Sequence, residues 1–365
     1  MYKNQLDTPS LILDLDLFEK NLVVMRDFAA SKGKKLRPHA KTHKCPEIIR
    51  RQLACGNCAG VCAAKLSEAE GLAKYGIGQI LITSPVTAPE KMKRAVDLHG
   101  KCSELILTVD DPDQVRVLAA LCREENPLRV ILDVDPEMGR TGVPFAEAEE
   151  FGAFITSFPT LKLVGVQCYT GHLQHIVSYE ERKKENLRLM NRGAEVFRAL
   201  RDRFGSCRIF TGTGTGTSPA DLDIAEVTDI QVGSYCVMDS EYLAVEHGGP
   251  RYAAALRMIT SVISSHYPGM ATLDAGTKSL YVTPGAPPRV IDGNKIRPGW
   301  EYDWSFGDEH GRLTFPSEES LKAGDRLELI VSHCDPTINL FDEIYVVRGE
   351  KVLDCWPIAL RGCNR

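Results

Sequence analysis

Between residues 35 and 236, short β-branched apolar runs alternate with longer amphipathic ones. The short runs fall at 35–40, 60–63, 79–83, 104–109, 129–134, 163–168, 207–211 and 229–232 and predict eight strands. They are apolar nearly throughout rather than at alternate positions, the pattern of a parallel sheet buried on both faces. The segments between them, at 46–54, 67–75, 89–98, 111–123, 144–157 and 179–204, read as helices. Several open on a start signal, such as Ser67-Glu68-Ala69-Glu70 or Pro89 in a first turn. Only the connection after the seventh strand is irregular. Eight such units in roughly 200 residues fit a closed (β/α)8 barrel of the TIM type better than an open doubly wound sheet. The glycine fingerprint of a dinucleotide fold is missing after the first strand.

Beyond residue 250 the helical periods stop. Residues 257–264, 271–274, 326–332, 343–348 and 351–358 read as strands, with Arg348-Gly349-Glu350-Lys351 as a hairpin turn. Residues 10–15 also read as a strand, ahead of a helix at 16–31, and can return to pair with the C-terminal strands. The expected organisation is therefore a barrel over 16–250, and a predominantly β domain from 1–15 plus 251–365.

Composition narrows the function classes. Of 365 residues, 43% are hydrophobic and 25% charged, as in an ordinary globular protein with a large core. A net charge of -5 and a pI near 6.0 argue against a nucleic-acid binder, which needs a basic face. No apolar run approaches the ~20 residues of a membrane span. The opening Met1-Tyr2-Lys3-Asn4-Gln5-Leu6-Asp7 lacks the apolar core of a signal peptide, so a cytoplasmic protein is expected. Cys55-Gly56-Asn57-Cys58 has metal-type spacing, but no second pair follows it. The twelve cysteines are expected to be reduced thiols.

Barrel enzymes work at the carboxyl ends of their strands, so the candidate chemistry is sought there. The first strand leads into Arg37-Pro38-His39-Ala40-Lys41-Thr42-His43-Lys44. Read alone, that run is a solvated basic turn, but Lys41 stands where an amine can hold an aldehyde cofactor. The fifth exit carries Arg140 between Gly139 and Gly142; the plain alternative is an arginine that tethers its loop by a salt bridge. The sixth carries Tyr169, Gln174 and His175. The seventh is Thr211-Gly212-Thr213-Gly214-Thr215-Gly216-Thr217, and the eighth is Gly233-Ser234-Tyr235. Glycines admit an anion to backbone N–H groups and threonines add hydroxyl donors, which suits a phosphate at this architecture's usual phosphate site. A phosphate cradle opposite a lysine suits pyridoxal 5'-phosphate. In the β domain, Ser332-His333-Cys334-Asp335 ends a strand. In an extended chain His333 and Asp335 share a face, with Cys334 pointing away, and form part of a divalent-metal site.

Taken together, these motifs have a family likeness. They are Asp7-Thr8-Pro9-Ser10, Arg37-Pro38-His39-Ala40-Lys41-x-His43-Lys44-Cys45-Pro46-Glu47, Gly139-Arg140-x-Gly142, Tyr169…Gln174-His175, the Thr/Gly loop, Gly233-Ser234-Tyr235-x-x-Met238-Asp239, and Ser332-His333-x-Asp335-Pro336-Thr337. Over essentially its whole length the chain resembles the D-threonine aldolase and D-serine dehydratase group of the alanine-racemase-like, fold type III pyridoxal-phosphate enzymes. The resemblance implies a homodimer with pyridoxal phosphate on Lys41. Around the cofactor it implies His39, Arg140, Tyr169, Gln174, Thr213, Gly214, Thr215, Gly233, Ser234 and Tyr235.

It also implies a divalent metal on His333 and Asp335. The group's dehydratases resemble one another in a His-x-Cys pair suited to zinc. Its aldolases carry His-x-Asp, which suits manganese or magnesium, with zinc a further option. Asp335 thus favours an aldolase that cleaves a D-3-hydroxy amino acid to glycine and an aldehyde. His175 is the expected base for the β-hydroxyl proton, its alternative being a residue that packs beside the cofactor. The rival chemistry is β-elimination to a 2-oxo acid and ammonia. A non-enzymatic pyridoxal-phosphate-binding protein is the alternative of a different class, and the C-terminal domain with its metal pair argues against it. Threonine, phenylserine and 3-hydroxyaspartate all stay open as substrates, and Asp308-Glu309-His310 has no assigned role.

Overall fold

The computed structural model describes residues 1–102 and 104–365. Strand β1 (Ser10–Asp14) runs directly into helix α1 (Leu15–Ser31), whose first turn is capped by the Asp14 carboxylate accepting the Leu17 N–H. Then come β2 (Lys35–Leu36), α2 (Pro46–Cys55), β3 (Val61–Ala63), α3 (Leu66–Lys74), β4 (Ile80–Ile82), α4 (Pro89–His99), β5 (Ile106–Val109) and α5 (Pro112–Leu121). The alternation is completed by β6 (Leu128–Val134), α6 (Ala148–Thr156), β7 (Leu161–Cys168), α7 (Tyr179–Arg203), β8 (Ile209–Thr211), α8 (Ser218–Asp221), β9 (Asp229–Ile230) and α9 (Ser240–Ala244). Helices α2, α4 and α5 each begin on proline, whose missing N–H costs nothing in a first turn.

The closed (β/α)8 barrel expected from the sequence is not what forms. Strands β3 to β8 pair in order as a six-stranded parallel sheet, which curls through 225° and leaves its edges 11 Å apart. The fold is an open half-barrel. Among the described residues, strands β2 and β9 pair only with each other, Lys35 with Asp229 and Leu36 with Ile230. They reach β3 and its approach through single bridges, Leu36 with Cys58 and His39 with Cys62. The reason is local. Pro38 has no N–H to give a ladder, and the chain then tightens into a 3-10 turn at Ala40–Thr42.

The interior of the half-barrel is layered. Cys62, Leu81, Ile106, Ile131 and Val164 form an apolar cluster. Two residues further along three of these strands, on the same face, stand Thr83, Thr108 and Asp133. The floor of the sheet is thus oily and its carboxyl end polar.

The rest of the chain builds a second sheet from β10 (Leu256–Tyr267), β11 (Met270–Leu273), β12 (Arg289–Asp292), β13 (Lys295–Ile296), β14 (Glu301–Asp303), β15 (Gly311–Thr314), β16 (Arg326–Ile330), β17 (Glu343–Arg348) and β18 (Lys351–Pro357). Its main path is β13-β12-β16-β10-β1-β17-β18. Strand β1 sits inside it, antiparallel to β10 and parallel to β17. After β16 the short helix α10 (Cys334–Ile338) packs on the turn that bears Lys41. The second sheet therefore delivers the 333–335 segment to the mouth of the half-barrel. Among the described residues no helix is long and apolar enough to cross a membrane.

Candidate active site

The carboxyl ends of the strands surround a cavity of about 250 Å³. Lys41 reaches into it, and its Nζ lies 2.5 Å from Asp335 Oδ2. Burial acts to lower the lysine's pKa, but the Asp335 carboxylate outweighs it and holds the ammonium above its ordinary range. Asp335 is in turn held well below the usual carboxylate range, against its own burial, by Lys41 and His333. His39 orients the turn: its Nδ1 accepts the Lys41 N–H at 3.4 Å, so Nε2 carries the proton and meets Thr83 Oγ1 at 3.2 Å. Burial depresses the His39 pKa far enough to keep the ring neutral.

Gly214, Thr215, Gly233 and Ser234 form another wall. The two loops are tied together where the Tyr235 N–H donates to Thr215 Oγ1 at 3.2 Å. A Cβ on Gly233 would lie 2.2 Å from Thr42 Oγ1, and one on Gly214 would lie 2.3 Å from Gln174 Oε1. Only glycine lets these segments approach so closely. Thr42 lines the same wall, and its buried hydroxyl has no partner among the described residues. Across the cavity the Arg140 guanidinium stands 5.1 Å over the Tyr169 ring. Below, Gln231 Nε2 donates to Gln167 Oε1 at 3.1 Å, and Gln167 Nε2 donates to Asp133 Oδ1 at 2.9 Å. Burial pushes the Asp133 carboxyl up to about 6, with Gln167 and Thr141 opposing.

These groups fit pyridoxal phosphate. They supply an amine, a glycine-walled cradle, an unpartnered buried hydroxyl beside that cradle, and a guanidinium for an anionic ring substituent.

Beside this cavity the 333–335 segment differs from the extended run expected. Helix α10 begins at Cys334, so His333 and Asp335 are not carried on one strand face. His333 Nδ1 lies 2.9 Å from Asp239 Oδ2 and 3.1 Å from Glu241 Oε2, whereas Asp335 turns to Lys41. Nor does Cys334 point away: it is fully buried, and ligand atoms of Asp239, His333 and Cys334 lie within 4.8 Å of one another. His175 completes the group. Its ring centroid is 6.1 Å from that of His333 and 4.8 Å from that of Tyr242, and its Nε2 is 3.8 Å from Glu241 Oε2. Burial lowers the His175 pKa, partly offset by Glu241.

Of the residues singled out from sequence, Lys41, His39, Arg140, Tyr169, Gly214, Thr215, Gly233 and Ser234 line the cavity. Thr213 and Gln174 do not; they are buried, and Gln174 braces the loop by accepting the Gly216 N–H at 2.9 Å. The Tyr235 ring turns into the core, its hydroxyl accepting from Gln52 Nε2 at 3.3 Å, so Tyr235 gives the site only a backbone contact. Sequence reasoning missed Glu241, Tyr242, Gln167 and Gln231, and carried Asp239 only inside a family motif, with no role assigned. The one available signal was Asp239-x-Glu241, two carboxylates just past the last strand exit. All twelve cysteines are free, Cys55 and Cys58 included.

A lysine after β2 and a cradle after β8 and β9, gathered at the mouth of the half-barrel, define an enzyme that works with pyridoxal phosphate. Comparison with known proteins agrees. The family described as "Alanine racemase, N-terminal domain" matches residues 13–241, and "Putative serine dehydratase domain" matches residues 255–347. D-threonine aldolase from Arthrobacter sp. is 36% identical over 99% of this chain and 94% of its own length. The 3-hydroxy-D-aspartate aldolase of Paracoccus denitrificans is 34% identical over the same shares. The crystal structure of D-threonine aldolase from Filomicrobium marinum superposes with a TM-score of 0.92 at 35% identity, covering 100% of this chain and 98% of that one. The chain belongs to the alanine-racemase-like, fold type III pyridoxal-phosphate enzymes and, within them, to the lyases related to D-threonine aldolase.

Proposed function

We propose that this protein cleaves the Cα–Cβ bond of a D-3-hydroxy amino acid, releasing glycine and an aldehyde. The observation that carries the reading is the side chain at position 335. An oxygen donor, not a thiolate, faces Lys41 next to His333. The three relatives named above, all aldolases, support it.

Lys41 would hold pyridoxal phosphate, which when bound draws off the electrons left on Cα. His333 and Asp335 would hold a divalent ion, manganese or magnesium ahead of zinc given the carboxylate, to polarise the β-hydroxyl. The chain's own residues do the rest. Arg140 offers a cation to an anionic group in the cavity, and His39 keeps the Lys41 turn in place as a neutral acceptor. His175 takes the β-hydroxyl proton, since its lowered pKa leaves the imidazole free to accept at neutral pH. Glu241 stands where it stabilises the imidazolium that results. A homodimer is the proposed assembly.

A second reading, β-elimination, draws on Cys334, whose thiol lies in the Asp239–His333 cluster. Product analysis separates the two. The protein is incubated with pyridoxal phosphate, Mn2+ and D-threonine. Glycine plus acetaldehyde establishes the aldolase; ammonia plus 2-oxobutanoate establishes the dehydratase and overturns the assignment of Asp335.

A further inference from the structure

We propose that Asp239 is the outer carboxylate that aims His333 at the metal, and is not itself a metal ligand. The inference rests on the reading of His333 and Asp335 as ligands. Proximity alone suggests otherwise, because Asp239, His333 and Cys334 gather their ligand atoms within 4.8 Å. The hydrogen bonds decide. Asp239 is fully buried and both its oxygens are engaged. Oδ1 accepts the Tyr242 N–H at 2.9 Å and so caps α9. Oδ2 accepts the Cys334 N–H, the first of α10, also at 2.9 Å. One carboxylate is thus pinned across the starts of two helices.

His333 Nδ1 meets that same Oδ2 at 2.9 Å. Glu241 Oε2, at 3.1 Å, is the other group facing this nitrogen. Both neighbours are acceptors, so Nδ1 carries the proton. The tautomer is fixed, and Nε2 is left as the ring's only lone pair for a metal. A histidine held to a carboxylate through its far nitrogen is a recurring way to orient a ligand and raise its basicity. Asp239 has little capacity left for an ion, because Oδ2 already takes two donors and Oδ1 faces into α9.

Two measurements test this. The first is ¹⁵N NMR of the cofactor-loaded wild-type enzyme with labelled histidine, the His333 signals being assigned by their loss in H333Q. In the neutral ring a protonated Nδ1 and a bare Nε2 are expected; the opposite tautomer, with Nδ1 bare and Nε2 protonated, overturns the proposal. The second is Mn2+ binding, read as bound against free ion by electron paramagnetic resonance, for wild type, H333A, D335N and D239N. Each Asp239 oxygen accepts a backbone N–H, so an asparagine must set its NH2 against one of them and loses control of the ring. D239N is expected to keep one Mn2+ per chain with an affinity about 10–100-fold weaker. Wild-type affinity in D239N overturns the inference, as does complete loss matching H333A, which would make Asp239 a ligand. If H333A and D335N bind Mn2+ as tightly as wild type, the underlying ligand assignment fails, whatever D239N does. Should D239N not fold, the NMR measurement on the wild type decides.

Discussion

Lys41 Nζ and Asp335 Oδ2, 2.5 Å apart, join the half-barrel to the second sheet at the one point where chemistry is expected. Lys41 follows β2 and Asp335 lies in α10, so neither sheet builds the site alone. The pairing makes the two losses separable. Asp335→Ala removes an oxygen donor but leaves Lys41, Arg140 and the glycine-walled cradle in place. We expect it to keep the visible absorbance of the lysine-bound cofactor while metal-stimulated cleavage falls about 10²-fold or more. Lys41→Ala should lose both. Loss of the absorbance in Asp335→Ala as well would mean that this carboxylate is needed to hold the cofactor.

What the sequence disclosed, and what it hid, follows from the range of the forces involved. The strand at 104–109 was legible, and Ile106–Val109 is there, because burial on both faces writes itself into an unbroken apolar run. Barrel closure was not legible. It depends on ladder bonds between β2, β3, β8 and β9, and how far a two-residue strand ahead of Pro38 pairs with its neighbours is not written in its own side chains. Strands β12 to β15 escaped notice because they are short and broken by proline and glycine turns. Lys41 and the Gly/Thr loop could be found by position alone. The direction of a side chain past a strand end could not: a 3-10 turn at Ser234–Cys236 sends the Tyr235 ring into the core against Tyr252. The same limit misplaced Cys334, where a helix starts in the middle of the segment read as extended.

Gly233 gives a steric prediction. Its backbone lies at negative φ, so a side chain there is opposed by space and not by conformation. The obstacle is Thr42 Oγ1, 2.2 Å from a built Cβ. Gly233→Ala should push the last-strand loop away from the Lys41 turn, and weaken pyridoxal-phosphate binding by about 10-fold or more, the scale of overpacking by one methyl. Thr42→Ala makes room but gives up that hydroxyl, so it is the reference: adding Gly233→Ala to it should cost little further affinity. A Gly233→Ala penalty as large in the Thr42→Ala background as in wild type would show that Thr42 is not the obstacle. Fluorescence titration of the cofactor reads both.

His175 should set the acid limb of the rate profile. Burial, only partly offset by Glu241, lowers its pKa from the ordinary 6.5. A base works deprotonated, so kcat/KM should stay flat as pH falls through 7 and decline only below 6.5. His175→Ala should lower kcat by about 10²–10⁴-fold and abolish this limb. If the limb persists in His175→Ala, another group takes the proton.

Asp221 offers a stability test tied to the phosphate loop. It is fully buried at the end of α8, where Asn186 Nδ2 donates to Oδ1 at 2.5 Å and Thr217 Oγ1 donates to Oδ2 at 2.8 Å. Thr217 Oγ1 also accepts from Gln174 Nε2 at 3.1 Å, so this carboxyl anchors the brace beneath Gly214 and Gly216. Burial raises the Asp221 pKa from 3.8 to about 6, against the opposing hydrogen bonds. The sign follows directly. An acid whose folded pKa is raised contributes stability that is fully present below its unfolded value and is lost as pH rises through its folded value. Asp221→Asn is neutral throughout and has no such loss. Between about pH 4 and pH 7 the unfolding free energy of wild type should therefore fall relative to Asp221→Asn by about 3 kcal/mol, from a shift of roughly two pKa units. Denaturant unfolding of both proteins across that range measures the difference. A difference that stays flat would mean that Asp221 is ionised in the folded protein at every pH sampled, and that the brace is held by a charge.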